Sequence, residues 1–180
     1  METEHLSQES SSTRSLNFED IVERYYRSLY RFAFSLTRSE ADACDLTQHT
    51  FYKWAAKGQQ LRDISKVRAW LYTTLHRAFL QAKRKETRFP QCELDEIDPE
   101  LAWISVQEAS HSDAASVLGA MAKIDETFRA PLALFYLEDC PHKEIARILN
   151  IPLGTVKSRV ARGIAKLQKI LVPMTAAGSR

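Results

Sequence analysis

Thr155, Lys157, Ser158, Arg159, Arg162 and Lys166 crowd hydroxyls and cations into one short stretch. At helical spacing most of them share a face, with Lys157 beside it. Such groups bond phosphate oxygens and the edges of guanine, so the chemistry they suggest is reading a duplex. A second set lies upstream. Arg62 to Arg88 carries eight Lys or Arg and two acidic residues, net +6, with Trp70, Tyr72 and Phe79 interleaved. Rings stack on unpaired bases while cations follow the phosphates, which is how single strands are held. The competing reading makes Trp70 and Phe79 core residues and the cations a solvated surface. Bond-making chemistry has no comparable set. The five histidines form no HExxH, and there is no Walker loop or GxGxxG. Cys44, Cys92 and Cys140 are far apart with no CxxC pair, which fits reduced thiols and neither a zinc site nor a disulfide framework. No metal or cofactor is expected, and enzyme readings have nothing to stand on.

The duplex-reading residues need a helix, and His142 to Leu171 supplies a pair of them. Ile145, Ile148 and Leu149 fall on one side of a first helix, and Ala146 is small enough to let a second cross closely. Asn150 can take the left-handed conformation that ends a helix, and Pro152 cannot continue one. In the second helix Val156, Val160, Ile164, Leu167 and Leu171 form an unbroken apolar stripe opposite the donors. An apolar stripe backed by cations describes a helix-turn-helix, whose second helix enters a major groove. An ordinary helical hairpin with a solvated basic side would carry the same stripe. The break, the small residue and the charge favour the first reading. From Pro141 to Arg180 there are eight Lys or Arg and one Glu, net +7, against +2 for the whole chain. That concentration points to a polyanion.

The 180 residues, 44% hydrophobic and 27% charged, allow one domain or two small ones with a buried core. No apolar run approaches the roughly 20 residues of a membrane span, and METEHLSQESSSTRS lacks the apolar segment of a signal peptide. The expected location is the cytoplasm, without membrane insertion. Residues 1–16, rich in Ser and Glu, read as a disordered N-terminus.

Residues 17–88 read as a first helical unit. Asn17 can cap a helix burying Val22, Tyr25, Tyr26, Leu29, Ala33 and Leu36. Ser39-Glu40-Ala41-Asp42 resembles a capping box opening a second helix to Lys57, with Leu46, Thr50, Phe51 and Trp54 inward. Ser65 to Lys85 makes a third, with Val67, Leu71, Leu75, Ala78 and Ala82 on one side. Residues 89–113 hold seven carboxylates and no Lys or Arg and read as an acidic linker, reaching roughly 80 Å if fully extended. Asp98-Pro99 could cap a short helix within it. Residues 114–172 form the helix-turn-helix unit, in which Asp125 caps a helix through Leu137 and Pro131 predicts a kink or a later start. Residues 173–180 are a tail. No strand-period pattern occurs, so the fold class is all-α: two small helical domains joined by an acidic linker. Two modules on a tether imply a bipartite target.

GTVKSRVARG at Gly154 to Gly163, preceded by KEIARILNIP and FRAPLALFYLED, resembles region 4 of bacterial sigma factors of the extracytoplasmic-function type. DLTQHTFYKWA at Asp45 to Ala55 and VRAWLYTTLHRAFLQAKRK resemble region 2 of the same family. The similarity implies partners: core RNA polymerase, promoter DNA and an anti-sigma factor. It implies that Asp45, Leu46, Gln48, Phe51 and Trp54 dock on polymerase. It also implies that Trp70, Tyr72, His76, Arg77, Lys83 and Arg84 capture the melted −10 strand. Thr155, Lys157, Ser158, Arg159 and Arg162 then read the −35 element. The polymerase would hold the active site, and this chain would supply specificity.

Some positions depart from that family. Arg77 stands where Asn is common and Gln81 where Asp is, which bears on −10 preference. His49 replaces the glutamate that often follows Gln48, and Asp139-Cys140-Pro141-His142 replaces the usual Gly-Leu-Ser before region 4's first helix. The linker can follow a nucleic-acid-like path in polymerase or serve as a plain soluble spacer. Two other functions remain open. A stand-alone helix-turn-helix regulator would use residues 114–180 but leave the basic-aromatic helix idle. A helical enzyme or interaction module would make the basic faces incidental.

Overall fold

Helix α1, Phe18–Thr37, starts where Asn17 turns extended and its carbonyl accepts from Ile21 N–H at 3.3 Å. Glu19 and Asp20 in its first turn suit the positive end of the helix dipole. It ends at Arg38, whose left-handed backbone (φ 60°) returns its N–H to the Phe34 carbonyl. This computed structural model describes residues 17–61, 63–88 and 119–177. The N-terminal segment, the acidic linker with its Asp98-Pro99 cap, and the last residues of the tail lie outside the described residues.

The side of α1 that packs is rotated from the expected one. Ile21, Leu29, Phe32, Ala33 and Leu36 are buried, whereas Tyr26 is 43% exposed. The reason is a ring ladder: Tyr26, Tyr30 and Phe34 stack along the helix at 6.4 Å spacings, and Tyr26 stacks on Phe51 at 6.3 Å. The stacked rings occupy the flank, and Phe32 is the aromatic of α1 that is fully buried.

Helix α2, Glu40–Lys57, opens with the Ser39 hydroxyl accepting from Asp42 N–H, the first half of the capping box. Thr50, Phe51 and Trp54 face inward and Leu46 is half-buried. A turn of 3₁₀ helix at Gly58–Gln60 and another at Ile64–Lys66 lead to α3, Val67–Arg88. Asp63 caps that entry, its carboxylate accepting from the N–H and hydroxyl of Ser65. Val67, Leu71, Leu75 and Ala78 are buried as their spacing requires, but Ala82 is exposed and Tyr72 and Phe79 join the core.

Helical residues 119–122 precede α4, Glu126–Tyr136. Pro131 lies inside α4 without shifting its start. It removes one backbone bond at the middle of the helix, and burial of Ala130, Leu132, Ala133 and Leu134 offsets that loss. Helix α5, His142–Leu149, ends at left-handed Asn150 (φ 53°, ψ 50°), and α6, Leu153–Ala177, follows. Val156, Val160 and Leu167 are buried and Ile164 and Leu171 half-buried, as the apolar stripe requires. At Gly163 an added Cβ would lie 3.3 Å from Leu132 Cδ2, so α4 packs on α6 at a residue with no side chain. The described residues form helices joined by short connections, with no strand among them. One apolar cluster runs from Ile21 through Leu75 to Leu167, so both helical units share a core.

Candidate nucleic-acid interface

The turn at Asn150 sets α6 across α5, and burial of one side of α6 decides what the other can offer. With Val156 and Val160 inside, Lys157, Ser158 and Arg162 point to solvent, while Thr155 and Arg159 are half-buried. The Ser158 hydroxyl donates to the Thr155 carbonyl at 3.1 Å, so its oxygen can still accept. Arg159 borders an open cavity of about 450 Å³ with His76, Pro131, Leu149 and Ile151. Lys166 is drawn aside: it pairs with Asp125 and sits 4.9 Å from the Phe128 ring centre. That lysine holds the Asp125 carboxyl below its usual range. Ser158 and Arg162 thus share one exposed side of α6, with Lys157 beside it.

The residues expected to hold a single strand divide between two sides of α3. Trp70, Arg77 and Arg84 recur every seven residues on one side; the two arginines are exposed and Trp70 is half-buried, edge-on to Trp54 at 5.3 Å. Tyr72, His76 and Lys83 lie on another side, turned toward the C-terminal unit. Tyr72 is 1% exposed and donates its hydroxyl to Glu138, so here it is a core residue with a polar anchor. Burial pushes the His76 imidazole down to about 4, which keeps it neutral near pH 7. Lys83 pairs with Glu126 and lies over the Phe79 ring. A linear sequence shows rings among cations but not which side of a helix a second unit will cover.

The set expected to meet a protein partner also splits by burial. Asp45 and Gln48 are exposed and Leu46 half-buried, but Phe51 and Trp54 are only 6% and 4% exposed. Those two rings position the surface from behind instead of forming it. Gly58 lets Trp54 lie there, since an added Cβ would come within 2.5 Å of the indole. The exposed aromatic on this side is Tyr52, at 73%, a residue the sequence reading passed over. It follows Asp45 by seven and Gln48 by four, so helical spacing alone could have found it. Asp45, Leu46, Gln48, His49 and Tyr52 border an open groove of about 490 Å³ against Ala78 and Gln81 of α3. Two departures from the family pattern, His49 and Gln81, therefore face one another across it.

Contacts between the two units centre on the turn from α4 to α5. The Glu138 side chain, 6% exposed, accepts from Arg31 at 3.1 Å and from the Tyr72 hydroxyl. Arg31 also donates to the Leu137 carbonyl, and Arg68 donates to the Glu138 carbonyl and to Cys140 Sγ. Burial raises the Glu138 carboxyl above its ordinary value, while Tyr72 and Arg31 pull the other way. Asp139 supplies the left-handed residue of the turn (φ 49°). Arg129 of α4, itself buried, donates to the Leu36 and Ile124 carbonyls. No group of His, Cys, Asp and Glu among the described residues could hold a metal ion, and no described helix is long and apolar enough to cross a membrane.

Comparison with known proteins gives two family matches in the expected order. Sigma-70 region 2 matches residues 21–89, and Sigma-70, region 4 matches residues 114–167. The ECF RNA polymerase sigma factor SigM of Bacillus subtilis (strain 168) is 30% identical over 157 residues, covering 86% of this chain and 95% of that protein. SigW of the same organism, also an ECF RNA polymerase sigma factor, is 28% identical over 170 residues, covering 86% and 88%. Among solved structures, the sigma factor RpoE in complex with the anti-sigma factor NepR from Bartonella quintana superposes with a TM-score of 0.72. Its sequence identity is 26%, with 86% of this chain and 96% of that one covered. CnrH in complex with the cytosolic domain of CnrY gives a TM-score of 0.58 at 25% identity, covering 87% and 88%.

Proposed function

Because the chain belongs to the extracytoplasmic-function sigma factors of the sigma-70 family, we propose that it binds core RNA polymerase and directs promoter-specific initiation. The observation that carries this reading is α6, with Lys157, Ser158 and Arg162 exposed directly behind buried Val156 and Val160. In this reading α6 reads the −35 element from the major groove, with Thr155 and Arg159 at the edge of the contact. Lys157 and Arg162 supply phosphate or guanine bonds that fix register.

Region 2 captures bases that have left the stack. Trp70, Arg77 and Arg84 form the accessible side of α3 for that strand, and Tyr72, His76 and Lys83 join only when the C-terminal unit moves away. The melted strand is stabilised by binding, so the chain shifts the duplex–open equilibrium and makes no bond itself. Polymerase holds the nucleotidyl-transfer site. Asp45, Leu46, Gln48 and Tyr52 form the polymerase-facing surface, with Phe51 and Trp54 bracing it. Arg77 and Gln81 replace an amide and a carboxylate by a cation and an amide, which changes the −10 bases preferred. Residues 89–113 tether the two units, and polymerase fixes their separation, so that two modest contacts act as one strong one. An anti-sigma factor is a further partner in this reading, in keeping with the NepR-bound relative.

The test separates DNA reading from polymerase binding. Arg162→Glu reverses an exposed charge without touching the core. It should abolish most promoter-dependent transcription by the reconstituted holoenzyme while co-elution with core polymerase stays unchanged. Equal loss of both would show that α6 is not the reading element.

A further inference from the structure

The cavity of about 450 Å³ that Arg159 borders lies where α3 meets the last three helices. Sites for small molecules run roughly 300–1,000 Å³ and set a few polar groups among apolar walls. The walls here are Phe79 and Leu80 of α3, Ala130 and Pro131 of α4, Leu149 of α5 and Ile151 of the turn. Four of the lining residues carry polar side chains. Glu126 pairs with Lys83, so the charge of that carboxylate is already met. Thr127 brings a hydroxyl from the first turn of α4. His76 brings an imidazole that burial keeps neutral, with one ring nitrogen to donate and one to accept. Arg159 is different. Its side chain is half-buried beside these walls and has no ion pair or hydrogen bond among the described residues. Taking a cation partly out of water without a partner costs free energy, and a bound anion offsets that cost.

We propose that this cavity binds a small carboxylic acid with an unbranched apolar chain, its carboxylate held by Arg159 and His76 and its chain against Phe79, Leu80 and Leu149. Guanidinium and carboxylate match in charge and in planar shape, and the imidazole N–H supplies a further donor. Other occupants fit less well. Inorganic phosphate would meet Arg159 and leave the apolar walls bare. A neutral hydrocarbon would cover the walls and leave the guanidinium unpaired. A peptide would press backbone amides against Phe79 and Leu149, whose side chains offer no hydrogen bond. The site itself does not depend on what α6 reads. Its consequence does, and rests on the promoter-reading proposal above: Arg159 stands at the edge of the −35 contact, so acid and duplex compete for one guanidinium. The acid then acts as an effector that lowers promoter affinity.

The probes are hexanoate, octanoate and octanol, titrated into the full chain at pH 7 and followed by two-dimensional amide NMR. Octanoate should shift the amides of His76, Thr127, Leu149 and Ile151 in a saturable way. It should bind about tenfold more tightly than hexanoate, since each buried methylene tightens binding about fourfold. Octanol should bind more weakly than octanoate. Arg159→Gln should reduce octanoate to the level of octanol, and Arg159→Lys, which keeps the charge, should retain most of the difference. No saturable shifts, shifts scattered away from the cavity, or equal binding of octanoate by wild type and Arg159→Gln each overturn the site. The competition is read by fluorescence anisotropy on a duplex taken from a start site mapped by run-off transcription. Octanoate near saturation should weaken that duplex several-fold for wild type and leave the affinity of Arg159→Gln where it was. Unchanged wild-type affinity overturns the effector role. Failure of the promoter-reading proposal is distinct from either result, because it leaves no mapped start site at all.

Discussion

Gly58→Ala tests whether the Trp54–Trp70 pair holds α2 against α3. A Cβ at this position would lie 2.5, 2.6 and 2.8 Å from three carbons of the Trp54 indole, well inside contact distance. Trp54 is 4% exposed and edge-on to Trp70, so the ring has little room to retreat. Overpacking of a filled core costs about 1–3 kcal/mol. Gly58 has φ −61°, so backbone strain adds nothing and the whole effect is steric. For a chain of this size each kcal/mol lowers Tm by about 2–4 °C. Gly154→Ala is the control: nothing lies within 4 Å of its added Cβ, and in a helix alanine gains roughly 0.5–1 kcal/mol over glycine. Paired thermal melts by circular dichroism should therefore move in opposite directions. If Gly58→Ala melts at or above wild type, the indole is not locked beneath Gly58 and the account of how α2 and α3 are joined fails.

Two further outcomes follow from the interface. His76 titrates near 4 in the folded chain and near 6.5 when unfolded. The unfolded state then binds more protons between those values, so the stability from burying neutral His76 is complete above about 6.5 and lost as pH falls toward 4. Urea unfolding at pH 7 and pH 5 should show wild type losing more stability than His76→Gln, whereas parallel losses would place the imidazole in solvent. Lys157→Ala should weaken binding to a −35 duplex and make its log K against log salt slope less negative by about 0.9, and an unchanged slope would remove Lys157 from the phosphate contacts.

What the sequence made legible was local. Asn150 followed by Pro152 sets the helix-turn-helix break within a few residues, and the valine stripe of α6 has one helical solution, so both could be read directly. The Ser39 cap was legible for the same reason. Tyr26, expected inward, is exposed because an aromatic at core spacing can lie on a flank when other rings stack with it. Phe51, Trp54 and Tyr72, expected at contacts with partners, are buried in this arrangement, because burial depends on what a second helix or a second unit covers. Glu138 gave no signal at all. Its partners Arg31 and Tyr72 are 107 and 66 residues away, and no periodicity links such positions. Tyr52 is recoverable from its spacing with Asp45 and Gln48.

Run-off transcription with purified core RNA polymerase on fragments of the source genome, with and without this chain, tests the central claim most directly. The account predicts start sites that appear only when the chain is added, preceded by shared −10 and −35 elements. No new start sites, together with tight site-specific binding to duplex DNA in the absence of polymerase, would contradict it and make the chain a stand-alone regulator.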